Sequence, residues 1–323
     1  MITRHATEAD IPNIVNLLKV SLGEALLEKS EAYWRWKHLE NPFGESPVLL
    51  SLDGERIVGV RAFMQWQWKY GDKIFRSIRA VDTATHPNYQ GKGIFKKLTL
   101  ALLDDCRREG IDLVYNTPNS SSKPGYLKMG WKEAGQLPIN FAVRNPFAML
   151  AARFTRPAED ADVAPGKLTD IVSSPELTSL IALLRSETIV TNYSAAYFQW
   201  RYAGVPVVKY AADRIGEGEK SAFIFYRIKP GRFGRELRLT DLLRHPNVDN
   251  GEIKMLIRAA AKKNHADYIT ISNFTGYALP GIFKMKINNV GPTVTIRDLN
   301  LHDLTSFRGF SNWRPSLGDL ELF

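Results

Sequence analysis

Apolar and polar positions alternate along this chain in periods that locate its elements. Ile2 to Arg4 reads as a short strand. Thr7-Glu-Ala-Asp10 then has the form of a capping box, with Asp in place of Glu or Gln. It precedes a helix whose apolar stripe is Ile11, Ile14, Val15 and Leu18. Ile78 to Thr85 is an apolar, β-branched run that predicts a strand. From Ile94 to Glu109 the residues Ile94, Phe95, Leu98, Ala101 and Leu102 recur at helical spacing, with Lys96, Lys97, Asp104, Asp105, Arg107 and Arg108 on the other face. Gly110 supplies a C-terminal stop, and Ile111 to Asn116 predicts a short buried strand.

Between the strand and the helix lies His86-Pro-Asn-Tyr-Gln-Gly-Lys-Gly-Ile-Phe95. A strand, a glycine turn and a helix N-terminus form an anion site, because unpaired backbone N–H groups and the positive end of the helix dipole point the same way. Gly91 and Gly93 permit the turn, Gln90 adds a donor and Lys92 a charge. The spacing excludes a P-loop, which needs four residues before Gly-Lys-Ser/Thr. It also lacks the third glycine of a dinucleotide fingerprint, since Lys96 stands there.

The segment resembles motif A of the GCN5-related N-acetyltransferases, the GNAT superfamily, whose pattern is Gln/Arg-x-x-Gly-x-Gly/Ala. Gln90 and Gly93 match; Phe95 departs from the small residue usual at the last position. Asn119, Tyr126 and Gly130-Trp131 fall where that superfamily has Asn, Tyr and a Gly-Phe-like closure. The resemblance covers roughly residues 1 to 140. It implies a strand that splays from its neighbour, so that Thr83, Ala84 and Thr85 meet the thioester and pantetheine arm of acetyl-CoA. It further implies a phosphate cradle from Gln90, Gly91, Lys92, Gly93, Ile94 and Phe95, with Asn119 also at the cofactor. By the same resemblance Tyr126 is the general acid for the departing thiolate.

The base is not settled by sequence. Asp82 lies just before the acetyl position and is a candidate, as are water and the C-terminal carboxylate of Phe323. A structural role for Asp82 as a hydrogen-bond acceptor is an equal alternative. His86 beside Pro87 reads as part of the turn.

Composition narrows the partners. At 323 residues the chain is long for one such domain and suits two. No apolar stretch approaches the roughly 20 residues of a membrane span, and no signal peptide is visible, so the chain reads as cytoplasmic. Cys106, a single cysteine, excludes an internal disulfide, and no Cys/His spacing suggests zinc or another metal. The formal charge of +9 suits an anionic co-substrate, but its basic residues are spread out or lie in short turn-like clusters, so nucleic acid is not indicated. Trp34/Trp36 and Trp66/Trp68 would each share a face if they lie on strands; packing and ligand stacking are both open.

The chain also echoes itself. Tyr33-Trp-Arg-Trp36-Lys37 recurs as Tyr197-Phe-Gln-Trp200-Arg201, and Val81 to Asn88 as Leu239 to Asn247. Each His-Pro-Asn precedes a helix and then a strand (Ile253 to Asn264, then Asp267 to Ile271, in the second case). The second copy places Asp249 opposite Gln90, Glu252 opposite Gly93 and Ile282 opposite Tyr126, which is hostile to a pyrophosphate. The expectation is an α/β (α+β) protein of tandem GNAT-like domains, each a mixed, mostly antiparallel sheet flanked by helices. Residues 1–154 form the catalytic domain, 155–167 a linker, and 168–323 a degenerate copy. The implied activity is N-acetyl transfer from acetyl-CoA to a primary amine of a small molecule, an amino sugar among the candidates. The alternatives are aminoacyl-tRNA-dependent peptidyl transfer and a non-catalytic acyl-CoA scaffold. A homo-oligomer is open.

Overall fold

A computed structural model describes residues 1–23, 27–152, 166–231, 233–272, 283–287 and 291–320. Most of the 155–167 segment, Ile282 and Phe323 therefore lie outside the described residues. The chain divides into two compact units. The first comprises Met1–Gly135 with Thr293–Trp313, and the second Gln136–Pro292 with Arg314–Leu322. The sequence suggests a boundary after residue 154. The compact units instead divide at Gly135/Gln136, with a later stretch rejoining the first, because strand pairing between distant segments sets the division.

The first unit contains β1 (Ile2–His5), α1 (Ile11–Leu22), α2 (Glu31–His38), β2 (Val48–Asp53), β3 (Arg56–Tyr70) and β4 (Lys73–Thr85). It continues through α3 (Ile94–Arg108), β5 (Leu113–Asn116), α4 (Lys123–Lys128) and β6 (Lys132–Gln136). The chain then forms β7 (Ile139–Val143), α5 (Pro146–Ala152), α6 (Gly166–Val172), α7 (Pro175–Leu183), β8 (Val190–Thr191) and α8 (Ala195–Phe198). After these come β9 (Ala211–Ile215), β10 (Ala222–Gly231), β11 (Gly234–Arg244), α9 (Asn250–Lys263), β12 (Tyr268–Ser272), β13 (Phe283–Ile287), β14 (Thr293–Asp298) and α10 (Leu317–Leu320).

In the first unit the strands run β1-β2-β3-β4-β5-β14-β6. The pairs β1–β2, β2–β3, β3–β4 and β5–β14 are antiparallel, and β4–β5 is parallel, so the sheet is mixed. The second unit has the order β13-β7-β12-β11-β10-β9, with β11 and β12 parallel. Each sheet thus takes one strand from across the chain: β7 completes the second, β14 the first. The fold is a mixed α/β one, with sheets flanked by helices.

The sequence periods explain the layers. The apolar stripe of α1 (Ile11, Ile14, Val15, Leu18) packs with Leu50, Val60, Ala62 and Ala84. On the other face Ile94, Leu98, Leu102 and Cys106 of α3 pack with Val58, Phe63, Ile78 and Val114. Gly59 permits that approach, since a Cβ there would fall 2.5 Å from Ile94 Cγ2. In the second unit α9 covers Ile224, Tyr226, Leu237 and Ile269 with Ile253, Leu256, Ile257 and Ala260. Trp34 and Trp36 stand on α2, not a strand, and Trp66 and Trp68 on β3 with ring centroids 6.2 Å apart. All four are buried, which makes them packing groups.

Candidate functional site

The strand β4 pairs with β3 along its whole length, up to Thr85 opposite Gly59. Its parallel pairing with β5 covers only Ser77–Arg79 against Leu113–Tyr115. From Ala80 to Thr85 the β5-facing edge of β4 is therefore outside the ladder. Thr83, Ala84 and Thr85 lie in this stretch, beyond the end of β5 at Asn116. The open edge leaves backbone donors there for something other than a strand.

The turn that follows is open and glycine-rich. Gly91 and Gly93 have φ of +75° and +76°, in the left-handed region that favours glycine. A Cβ at either would meet nothing within 4 Å, so open space lies beside both. Gly93 is the N-cap of α3, and no side chain caps the helix there. Gln90 reaches back toward the Thr85 carbonyl at 3.5 Å, and the Lys92 ammonium lies 4.6 Å from the centre of the Tyr89 ring. Ile94 is buried beneath the turn. Phe95, the unusual residue of the motif, is accommodated by Gly125, where a Cβ would come within 3.3 Å of its ring. His86 belongs to the turn itself, its Nδ1 accepting from the Asn88 N–H at 3.3 Å.

Asn119 opens the loop before α4, its Oδ1 accepting from the Ser122 N–H at 2.9 Å. That loop delivers Tyr126, whose ring packs edge-on against Phe95 and Trp131 with centroids 5.5 and 5.1 Å away. The Tyr126 hydroxyl accepts from Arg61 Nη1 at 2.8 Å. Arg61 is fully buried on β3 and also donates to Thr83 Oγ1. The site therefore joins β3, β4, the α3 turn and α4. Sequence reasoning missed Arg61. Its signal was one charge inside an apolar strand, Ile57-Val-Gly-Val-Arg61-Ala-Phe-Met64.

Asp82 is engaged elsewhere. Arg61 faces Thr83 and Ala62 faces Val81, so Asp82 is the extra residue of a β-bulge, with φ of +36°. Its carboxylate takes Lys37 Nζ at 2.8 Å and His38 Nε2 at 2.9 Å, both from α2. Burial opposes its charge, yet Lys37 and His38 outweigh burial and hold it well below the usual carboxylate range. Burial likewise works against the Lys37 ammonium, and Asp82 overcomes it, raising Lys37 above its ordinary value. His38 moves the other way, since burial lowers it despite Asp82. A carboxylate accepts only, so Nε2 carries the imidazole hydrogen.

The second unit has polar clusters of its own. Asp249 caps α9: Glu252 N–H donates to its Oδ1 at 2.9 Å, and Asp249 N–H donates to Glu252 Oε2 at 2.9 Å. That helix N-terminus is filled by its own carboxylates. Asp241 on β11 accepts from Tyr193 at 2.8 Å and from Tyr202, while Arg201 turns its Nη2 to the Gly318 carbonyl at 2.9 Å. Asp319 accepts from Thr191 at 2.6 Å and from the Ser316 N–H at 2.6 Å. A cavity of about 600 Å³ in this unit is lined by Ile139, Phe141, Met149 and Tyr268, and its charged walls, Glu236 and Arg238, pair with each other.

The open glycine turn at the α3 N-terminus and the unpaired edge of β4 lie in the stretch of chain for which the comparisons with known proteins find a family match. Residues 3–134 match the family model described as an acetyltransferase (GNAT) domain. Among solved structures the chain is similar to a GCN5-related N-acetyltransferase from Anabaena variabilis ATCC 29413, at 17% identity and TM-score 0.66, over 95% of this chain and 75% of that one. A probable N-acyltransferase from Enterococcus faecalis V583 is similar at 12% identity and TM-score 0.64, over 93% and 73%. Eis1 from Mycobacterium abscessus is similar at 11% identity and TM-score 0.55, over 95% and 76%. At these identities the likeness is one of fold. No curated protein sequence matches the chain. Among the described residues no helix is long and apolar enough to cross a membrane, and no group of three His, Cys, Asp or Glu side chains could hold a metal.

Proposed function

We propose that the first unit binds acetyl-CoA and transfers its acetyl group to a primary amine of a small molecule by direct attack. The observation that carries this reading is the α3 N-terminus at Gly93, uncapped by any side chain and with open space beside it, a few residues after the unpaired edge of β4. Pyrophosphate oxygens accept from the free N–H groups of the turn, with Lys92 and Gln90 beside them. The pantetheine arm adds as a pseudo-strand along Thr83–Thr85, and the thioester carbonyl takes a backbone donor there as it gains charge. Tyr126 protonates the leaving sulfur. Asp82 is assigned to hold the bulge, with Lys37 and His38 as its anchors, since a carboxylate kept so acidic is a weak base. The acceptor amine then loses its proton to water.

The internal echo of the sequence supports reading the second unit as a copy that has lost this site. The short parallel ladder Ser77–Arg79/Leu113–Tyr115 has a counterpart in Glu236–Arg238/Tyr268–Thr270. Each sheet has a bulge just beyond it. Lys37, His38 and Asp82 find counterparts in Arg201, Tyr202 and Asp241, but the capping box of α9 removes the anion site.

The test is thiol release from acetyl-CoA against a panel of amino sugars, polyamines and other small amines. The reading expects amine-dependent CoA release that falls on the order of 10²-fold or more in Tyr126→Phe, with KM for acetyl-CoA little changed. Amine-dependent release that is equal in Tyr126→Phe contradicts the assigned acid; no release with any amine contradicts the transferase reading.

A further inference from the structure

Arg61 presents a problem that the acyl-transfer reading does not absorb. Its side chain is fully buried, and its Nε and Nη2 have no hydrogen-bond partner among the described residues. No carboxylate pairs with it there; its neighbours are the rings of Phe63, Tyr126 and Phe95, with centroids 4.4, 5.4 and 5.9 Å from the guanidinium carbon. A buried cation without a counter-charge is destabilising, and aromatic faces offset only part of that. Its filled contacts are Tyr126 Oη at 2.8 Å and Thr83 Oγ1. One is the assigned acid and the other stands on the strand assigned to the thioester.

Resting on the reading above, we propose that Arg61 is the positioning residue of the transfer step, fixing the Tyr126 hydroxyl and supplying the positive charge that balances negative charge formed when the thiolate leaves. A guanidinium has donors only, so the Tyr126 oxygen must accept from it, which leaves the phenolic hydrogen to point away toward the sulfur. In the step, the amine nitrogen forms its bond to the carbonyl carbon. The C–S bond breaks with its electron pair on sulfur, and the Tyr126 proton moves to that sulfur. The phenolate oxygen left behind keeps the Arg61 hydrogen bond until the proton lost from nitrogen is returned through solvent. The sum is amine plus thioester giving amide plus thiol. A cation preplaced in an apolar pocket does this with no reorganisation, which accounts for its lack of a resident anion.

The probe is CoA itself, so no acceptor is required. The full-length protein, saturated with CoA, is titrated with alkali while the ultraviolet absorbance of the thiolate is followed. The wild type is expected to bind CoA with its thiol titrating about one pH unit below free CoA, because the thiolate accepts a hydrogen bond from the Tyr126 hydroxyl that Arg61 orients and polarises. Arg61→Lys keeps part of that shift and Arg61→Met loses it. Because Arg61 acts through Tyr126, Arg61→Met produces little further change in a Tyr126→Phe background. Melting curves accompany each variant; Arg61→Met removes an unpaired buried charge at similar volume and should fold. An unshifted thiol in the wild type, an unchanged midpoint in Arg61→Met, or an equal loss in the Tyr126→Phe background overturns the proposal while leaving CoA binding intact. Absence of CoA binding by the wild type overturns the acyl-CoA reading and this one with it.

Discussion

Removing the Asp82 carboxylate should damage the first unit more than any ordinary polar substitution. The Lys37 and Asp82 side chains are 5% and 13% exposed, and their 2.8 Å contact is the anchor between α2 and the β4 bulge. In Asp82→Asn the shape is kept and His38 can still donate to the amide oxygen, but Lys37 becomes an unpaired buried cation. Breaking a buried pair from one side costs about 3–5 kcal/mol, and the residual exposure of Asp82 argues for the lower end, about 3 kcal/mol. The assay is urea unfolding at neutral pH followed by tryptophan fluorescence; Trp34, whose ring centre lies 4.0 Å from that of His38, reports on this cluster. The double variant Asp82→Asn/Lys37→Met should recover most of the loss, because it also removes the stranded charge. The pH dependence has a definite sign. Asp82 is more acidic folded than unfolded, so its contribution is complete above about pH 4 and is lost as pH falls. Each unit below that removes up to ~1.4 kcal/mol, and the gap between wild type and Asp82→Asn narrows accordingly. A loss under about 1 kcal/mol at neutral pH, or a gap that widens in acid, would refute the reasoning.

The second unit should respond to pH in the opposite sense. Burial and the nearby Asp241 push Asp319 up to about 7, so the folded state holds its proton more tightly than the unfolded chain does. Its stabilising effect is complete below about pH 4 and declines as pH rises toward 7. Asp319→Asn should flatten that slope in a melting series; an unchanged slope would show that another group is responsible. Cys106 is buried on α3, and burial, with Glu109 and Asp105 nearby, raises its thiol to about 12. It should react with a thiol reagent only at the rate of unfolding, and fast native-state labelling would contradict its placement in the core.

How much of this could be read from the chain depends on whether the determining contacts are local. The strand, glycine turn and α3 follow from residues within one short segment, and their boundaries in the structure fall within a few positions of the periodic pattern. The helix α1 was equally legible from its stripe. Strand exchange was not, because nothing near Ile139–Val143 or Thr293–Asp298 states which sheet will accept them. Asp82 was visible as a carboxylate at the site, whereas its partners lie some 44 residues earlier on a helix. The pair Trp34/Trp36 suited a strand by spacing, but Ser30 caps a helix there, its side chain accepting from the Tyr33 N–H. Arg61 was the harder case: a charge in an apolar run is a flag, yet only the fold brings it to Tyr126.

The central claim is that the open turn at Gly93 is an acyl-CoA site, and calorimetric titration with acetyl-CoA tests it most directly. The comparison is wild type against Gly93→Asp, since Asp tolerates a left-handed backbone and nothing within 4 Å opposes its Cβ. The variant would therefore fold but place a carboxylate where the pyrophosphate belongs. The account predicts one site per chain in the wild type and none in the variant, with similar melting temperatures. Equal binding by both proteins, or none by the wild type, would contradict it.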